Sequence, residues 1–214
     1  MKRCWVFCHG WGASPLFWEN LLPFFSESRC VCLDLGYFQH RNVIIPASSD
    51  YEYIGIGHSI GFMQLYALNI RWKKLIGIQG FNDFLGRQTT LYAKRERELK
   101  LLLKQFHTNP RKTLINFYRL AGWESSLIPI EKLNEQALLN DLNTLSSSCS
   151  LYKDLPLLII GAEDDPIVTT SIIQENFSKE KHVKSIMYRF GKHALGYLYP
   201  ELIAKDIKRF VYGA

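Results

Sequence analysis

The sequence predicts an α/β architecture: a mostly parallel sheet with helices on both faces and an inserted helical cap. Three observations predict it. Short apolar runs of β type alternate with helical stretches at both ends of the chain, as βαβ units require. Several of these runs close on glycine-rich or acidic corners, at the edge where parallel sheets carry ligands. Between residues 81 and 149 the strand signal disappears, and three amphipathic helical patterns follow one another. Residues 1–80 and 150–214 therefore read as the core, and 81–149 as the cap.

Arg3 to Cys8 is the first apolar run, closed by His9-Gly10-Trp11-Gly12. Ser14-Pro15 supplies the N-cap and first position of a helix whose apolar residues include Leu16, Phe17, Leu21 and Leu22. Arg29 to Leu35 is the next strand, ending in Asp34-Leu35-Gly36, and Tyr37 to Asp50 has no helical period. Tyr51 to Gly57 is a strand, Ile60 to Ile70 a helix and Lys73 to Gln79 a strand. In the cap, Leu99, Leu102, Leu103 and Phe106 keep helical spacing, with Lys94–Glu98 and Glu96–Lys100 one turn apart on a solvated side. Asn109-Pro110 opens a second helix bearing Leu114, Phe117, Leu120 and Ala121 and stopped by Gly122. A third runs from Lys132 to Leu145. The alternation resumes with a strand at Pro156–Gly161, a helix at Thr170–Phe177, a strand at Ser185–Phe190 and a helix after Pro200.

With 214 residues, 47% apolar and 21% charged, the chain matches an ordinary globular protein and excludes disordered or fibrous classes. Five cysteines, without disulfide or zinc spacing, read as small buried hydrophobes in a reducing compartment. The basic start is followed by an apolar run too short for a signal peptide, and no window reaches the ~20 apolar residues of a membrane span. A cytoplasmic protein with no membrane partner is expected. No histidine or carboxylate cluster has metal-ligand spacing and nothing resembles a phosphate or dinucleotide loop, so neither metal nor cofactor is expected.

The chemistry centres on Gly57-His58-Ser59-Ile60-Gly61, between a strand and a helix. Gly-x-Ser-x-Gly occurs often by chance, but at such a corner it places a serine Oγ on a sharp, strained turn. A nucleophilic serine needs a base, an acid to orient the base, and donors for the oxyanion. The segment Glu163-Asp164-Asp165-Pro166-Ile167-Val168 offers the acid, and Phe190-Gly191-Lys192-His193-Ala194 the base, each directly behind an apolar strand. The catalytic set is Ser59, Asp165 and His193, with Asp164 as the rival acid and Asp83 an outside candidate. Trp11 N–H in the glycine corner and Ile60 N–H at the helix start are the oxyanion donors. Trp11 and Phe117 are candidates to line an acyl pocket, against the blander reading that aromatics at helical spacing are core. His58 reads as pocket wall or packing, His9 as a brace of the oxyanion corner, and His40, His107 and His182 as solvated.

These residues carry a resemblance. His9-Gly10-Trp11-Gly12, the Ser59 pentapeptide, Asp165-Pro166-Ile167-Val168 and His193-Ala194 with Pro200 following fit the pattern of α/β-hydrolases. With the segment Leu114-Ile115-Asn116-Phe117-Tyr118-Arg119-Leu120, the chain resembles the pimeloyl-acyl carrier protein methyl ester esterases of biotin synthesis. The resemblance implies an α/β-hydrolase fold and a serine carboxylesterase that releases methanol. It also implies an acidic acyl carrier protein as the partner that brings the substrate to a monomeric enzyme. Unlike that family, the sequence opens directly on the strand before the oxyanion corner and is short between Tyr37 and Asp50. The alternatives are a general short-chain carboxylesterase or thioesterase acting on a small-molecule ester, and a catalytically silent α/β-hydrolase that binds a small ligand.

From Arg87 to Arg119, nine basic residues stand against Glu96 and Glu98, so the net charge of +6 sits in the cap. Plain solvation of exposed helices predicts mixed signs instead. No nucleic-acid module accompanies the cluster, so no nucleic-acid partner is expected. A basic face that steers an acidic carrier is the expectation.

Overall fold

The computed structural model describes residues 2–87, 89–123, 130–149 and 154–213. Six strands form one sheet: β1 (Lys2–Cys8), β2 (Arg29–Leu33), β3 (Tyr51–His58), β4 (Trp72–Ile78), β5 (Leu157–Ala162) and β6 (Val183–Tyr188). Their order is β2-β1-β3-β4-β5-β6 and every pairing is parallel. The reason lies in their composition. Every residue of β5 is buried, at odd and even positions alike, as are Cys4 to Cys8 of β1, so both faces of the sheet are covered.

Helix α1 (Ile60–Ala67) follows β3, α5 (Thr170–Phe177) follows β5, and α6 (Leu195–Leu198) and α7 (Pro200–Tyr212) follow β6. Between β4 and β5 lie α2 (Tyr92–Thr108), α3 (Pro110–Ala121) and α4 (Glu135–Thr144). Asn109 and Asn134 cap α3 and α4 by accepting from Lys112 N and Ala137 N, and Gly122 ends α3 in the left-handed region. Leu99, Phe106, Leu114, Tyr118, Leu138 and Leu142 of these helices join the same hydrophobic core as the sheet. Among the described residues the inserted helices have no core of their own.

Three elements differ from the sequence expectation. Ser14 Oγ accepts from Leu16 N with Pro15 at the first position, as a helix start requires. The chain then makes two 3₁₀ turns, Pro15–Trp18 and Leu22–Phe25, in place of one α-helix, and Leu16 is half-exposed. Pro23 lacks a donor and its ring would collide with the carbonyl one turn back, so an α-helix cannot run through it. The strand placed at 29–35 stops at Leu33, because Asp34 pairs with Asn42 in an antiparallel bridge. Arg95, counted with the surface charge, is buried. Its guanidinium pairs with Glu175 and donates to Ser171 Oγ at 3.0 Å, tying α2 to α5.

All five cysteines are free, and burial pushes the Cys32 thiol up to about 12. Among the described residues no helix is long and apolar enough to cross a membrane, and no cluster of three metal-ligating side chains occurs.

A buried polar knot joins α4 to the core. Asp141 accepts from Tyr37 Oη at 2.6 Å and from Gln64 Nε2 at 3.2 Å. Desolvation raises the Asp141 pKa, only partly offset by the Tyr37 hydrogen bond. A carboxyl whose folded-state pKa is raised holds its proton to higher pH in the native chain than in the unfolded one. Its stabilising contribution is complete below the ordinary carboxylate range and is lost as pH rises through the raised value. Urea unfolding of parent and Asp141→Asn from about pH 4 to about pH 8 should show the parent losing stability relative to the variant. Parallel curves would contradict this account.

Candidate active site

Ser59 stands at the corner between β3 and α1 with φ 53° and ψ −126°. A non-glycine residue there is strained, and the surroundings enforce it. A Cβ on Gly57 would stand 2.4 Å from Phe62 Cα, and one on Gly61 2.3 Å from Cys8 O, so only glycine on both sides lets α1 and β1 approach this closely. The amide of Ser59 donates to Ile78 O at 3.0 Å, which ties the corner to the end of β4.

At the end of β5, Asp165 is buried with both oxygens engaged. Oδ1 accepts from Ile167 N at 2.7 Å and Val168 N at 3.1 Å, while Oδ2 lies 2.7 Å from His193 Nδ1. A carboxylate there fixes the proton on Nδ1 and leaves Nε2 as the free base. Asp164 points elsewhere: it is exposed and its Oδ1 accepts from Lys192 N at 2.8 Å. Asp83 accepts from Gly86 N and Arg87 N and bridges to Ser148, which makes it a turn residue at the foot of the inserted helices. The expected triad thus splits into a bonded pair and a neighbour. Among the described residues Ser59 Oγ makes no hydrogen bond to His193, and the two are linked through His58. Such bonds are commonly loose in unliganded sites and tighten with substrate.

His58 is fully enclosed. Its Nε2–H donates to His193 O at 2.9 Å, and its ring stacks on Phe17 with centroids 4.3 Å apart. Burial holds its pKa well below the ordinary histidine value, and the nearby His193 adds to the effect, so the ring is neutral. His9 Nδ1 donates to Gly10 O at 2.9 Å and Nε2 accepts from Leu35 N at 3.1 Å, bracing the corner against the end of β2. Ala13 N–H closes that corner on Gly10 O at 3.2 Å, with Gly12 at φ 69° in the position where the turn needs a left-handed residue.

Trp11 is held from the inserted helices: Nε1 donates to Leu138 O at 2.9 Å and the ring meets Phe106 and Phe117 edge-on. Its side chain is packing. Phe117 is half-buried and stands 5.9 Å from His193, ring centre to ring centre. Tyr118 Oη donates to Gly12 O at 2.7 Å and Trp123 packs on Phe17, so both serve the core. Ile60 opens α1, where an N–H has no carbonyl partner within the helix. His40 and His107 are exposed, whereas His182 is half-buried beside Glu180.

No protein-family model and no curated protein matches the chain by sequence. Solved structures do match by shape. An esterase from Exiguobacterium antarcticum superposes with a TM-score of 0.78 at 12% identity, over 99% of this chain and 93% of that one. A lipase-esterase related protein from Clostridium acetobutylicum ATCC 824 gives 0.72 at 16% identity, over 97% and 94%. MenH from S. aureus gives 0.68 at 14% identity, over 99% and 94%. The chain has the α/β-hydrolase fold. Identities this low carry the fold alone.

Within the α/β-hydrolase fold, two site contacts go beyond the sequence reading, one from a residue it did not single out and one from a residue it gave a lesser role. Gln79, following β4, donates from Nε2 to Lys192 O at 2.9 Å and accepts at Oε1 from Ala162 N at 3.2 Å. His58 holds the main chain of His193, and is more than a wall. The available signal was a polar residue directly after an apolar strand, in one case beside the serine and in the other before Gly80.

The two adjacent aspartates should separate by substitution. Asp165→Asn removes the charge beside the imidazole and should slow labelling of Ser59 by a fluorophosphonate roughly a thousandfold or more. Asp164→Asn keeps an oxygen to accept from Lys192 N and should slow it less than about tenfold. The reverse ranking would move the acid role to Asp164.

Proposed function

We propose that the protein is a serine hydrolase that cleaves a carboxylic ester through an acyl-serine intermediate. The observation that carries this reading is the buried Asp165–His193 pair at the carboxyl edge of the sheet, next to a serine held in a strained corner. Ser59 Oγ attacks the acyl carbon while His193 Nε2 takes its proton. The carbonyl oxygen becomes an oxyanion between the N–H groups of Trp11 and Ile60. Collapse of this intermediate breaks the ester bond, and His193 returns the proton to the departing alcohol. Water, deprotonated by the same nitrogen, then releases the acid and restores Ser59. Asp165 keeps the imidazole oriented and stabilises its charged form.

The finer reading is a methyl ester on a pimeloyl chain delivered by an acidic acyl carrier protein. Its support is the family resemblance together with the charge on the inserted helices. Arg97, Lys104, Arg111, Lys112 and Arg119 are exposed and, among the described residues, have no carboxylate partner. Lys94 and Lys100 pair with Glu98 and Glu96 one turn away, and pairs so exposed are worth little. The summed field of the unpaired set steers an acidic partner and is screened by salt.

Two measurements test the two levels. A fluorophosphonate should label the parent and leave Ser59→Ala unlabelled, and turnover of p-nitrophenyl acetate should vanish with it. Full activity in Ser59→Ala would sink the mechanism, and no labelling of the parent would leave a silent binder. For the partner, kcat/KM of a carrier-bound ester should fall steeply with ionic strength and on charge reversal at Arg111 or Lys112, with p-nitrophenyl acetate barely affected. Equal salt responses for both substrates would leave a general carboxylesterase. Arg95 is unsuitable for this test, because reversing it breaks a buried ion pair.

A further inference from the structure

Gln79 is completely buried, and its backbone lies in the left-handed region at φ 50°. Glutamine gains nothing locally from that conformation, and nothing in a turn of this kind requires a long amide side chain. What the conformation does is turn the side chain from the end of β4 across the end of β5. There it meets two main-chain groups, one at the end of β5 and one on the loop after β6. Its Oε1 accepts from Ala162 N, three residues before Asp165, and its Nε2 donates to Lys192 O, the residue before His193. Its own amide donates to Ile160 O at 2.7 Å. Lys192 is itself left-handed at φ 48°, so the Gln79 bond secures a second strained residue, on the loop of His193.

We propose that Gln79 is a positioning residue for the acid–base pair: one amide group fixes the loop of Asp165 and the loop of His193 relative to each other. It touches neither substrate nor the reacting atoms. A side chain with one acceptor and one donor on the same carbon suits this task, since the end of β5 offers an N–H and the His193 loop a C=O. Methionine has the same reach and neither function. Glycine relieves the backbone and has no side chain. The proposal rests on the serine-hydrolase reading and adds what sets the distance within its buried pair.

The test uses the full chain with Gln79→Met and Gln79→Gly, folding being checked by thermal melting. The two readouts are the far-downfield Nδ1–H proton resonance of His193 and steady-state hydrolysis of p-nitrophenyl acetate. Expected are loss or broadening of that resonance in the folded variants and a fall in kcat of about tenfold or more, with KM changed less than about twofold. A resonance unchanged in either folded variant overturns the proposal, because a purely structural role would lower the melting temperature and leave the Asp165 bond intact. A kcat fall below about fivefold overturns it as well. Failure of both variants to fold assigns Gln79 to the fold and overturns it too. Ser59→Ala, measured alongside, keeps the two claims apart: hydrolysis that survives it removes the serine mechanism, whereas the proton resonance reports the positioning whatever ester is turned over.

Discussion

The main chain around His193 is held from four parts of the fold at once. Lys192 N donates to Asp164 after β5, Lys192 O accepts from Gln79 after β4, His193 O accepts from His58 at the end of β3, and Ala194 N donates to Ala121 O at the end of α3. A histidine proposed to pass a proton between a serine and substrate needs its backbone fixed before its ring can be aimed. Each of those contacts is worth about 1 kcal/mol by itself. Together they make the loop's position a consequence of the sheet register, since shifting any one strand end would break a bond to it. The bond from Ala194 N to Ala121 O also makes the inserted helices part of the candidate site, because the loop that carries His193 is anchored on one of them.

The same anchoring recurs on the opposite side of the site. Trp11 donates to Leu138 O and packs on Phe106 and Phe117, and Gly12 O accepts from Tyr118, so the glycine corner after β1 is seated on all three inserted helices. A helical layer attached to both the His193 loop and the glycine corner is structural material of the candidate site. Its aromatic side chains divide accordingly. Trp11 and Tyr118 are consumed in holding the corner, and Phe117, half-buried near His193, keeps a surface that a substrate chain can meet.

Much of this was legible in the sequence where the causes are local. Alternating apolar runs, the Asn109-Pro110 and Asn134 caps, the glycines around Ser59 and the order of serine, acid and histidine all act over a few residues or a single strand–helix unit. The rest depends on partners far along the chain. Arg95 sits one turn before Leu99 and therefore on the apolar stripe of α2, a hint of burial, but its partner Glu175 belongs to another unit. Asp164 and Asp165 cannot be told apart by composition because both bind the histidine loop, one through the backbone and one through the ring. The partners of Gln79 and His58 lie 113 and 135 residues away, beyond any periodicity.

The backbone strain of the molecule has a location. Among the described residues, non-glycine positions in the left-handed region are Ser59, Gln79, Asp154 and Lys192, and three of these four follow the carboxyl ends of β3, β4 and β6. Each costs about 1–3 kcal/mol and persists only where its surroundings over-determine it. Here the surroundings are one another: Ser59 N binds Ile78 O, beside Gln79, and Gln79 in turn binds Lys192 O. A strained corner presents the serine, a strained strand end sends an amide across to two loops, and a strained loop residue delivers the histidine. Ser59 and Gln79 follow β3 and β4, central strands fixed by parallel pairing on both sides, and Lys192, beyond the edge strand β6, is tied to them through the Gln79 side chain.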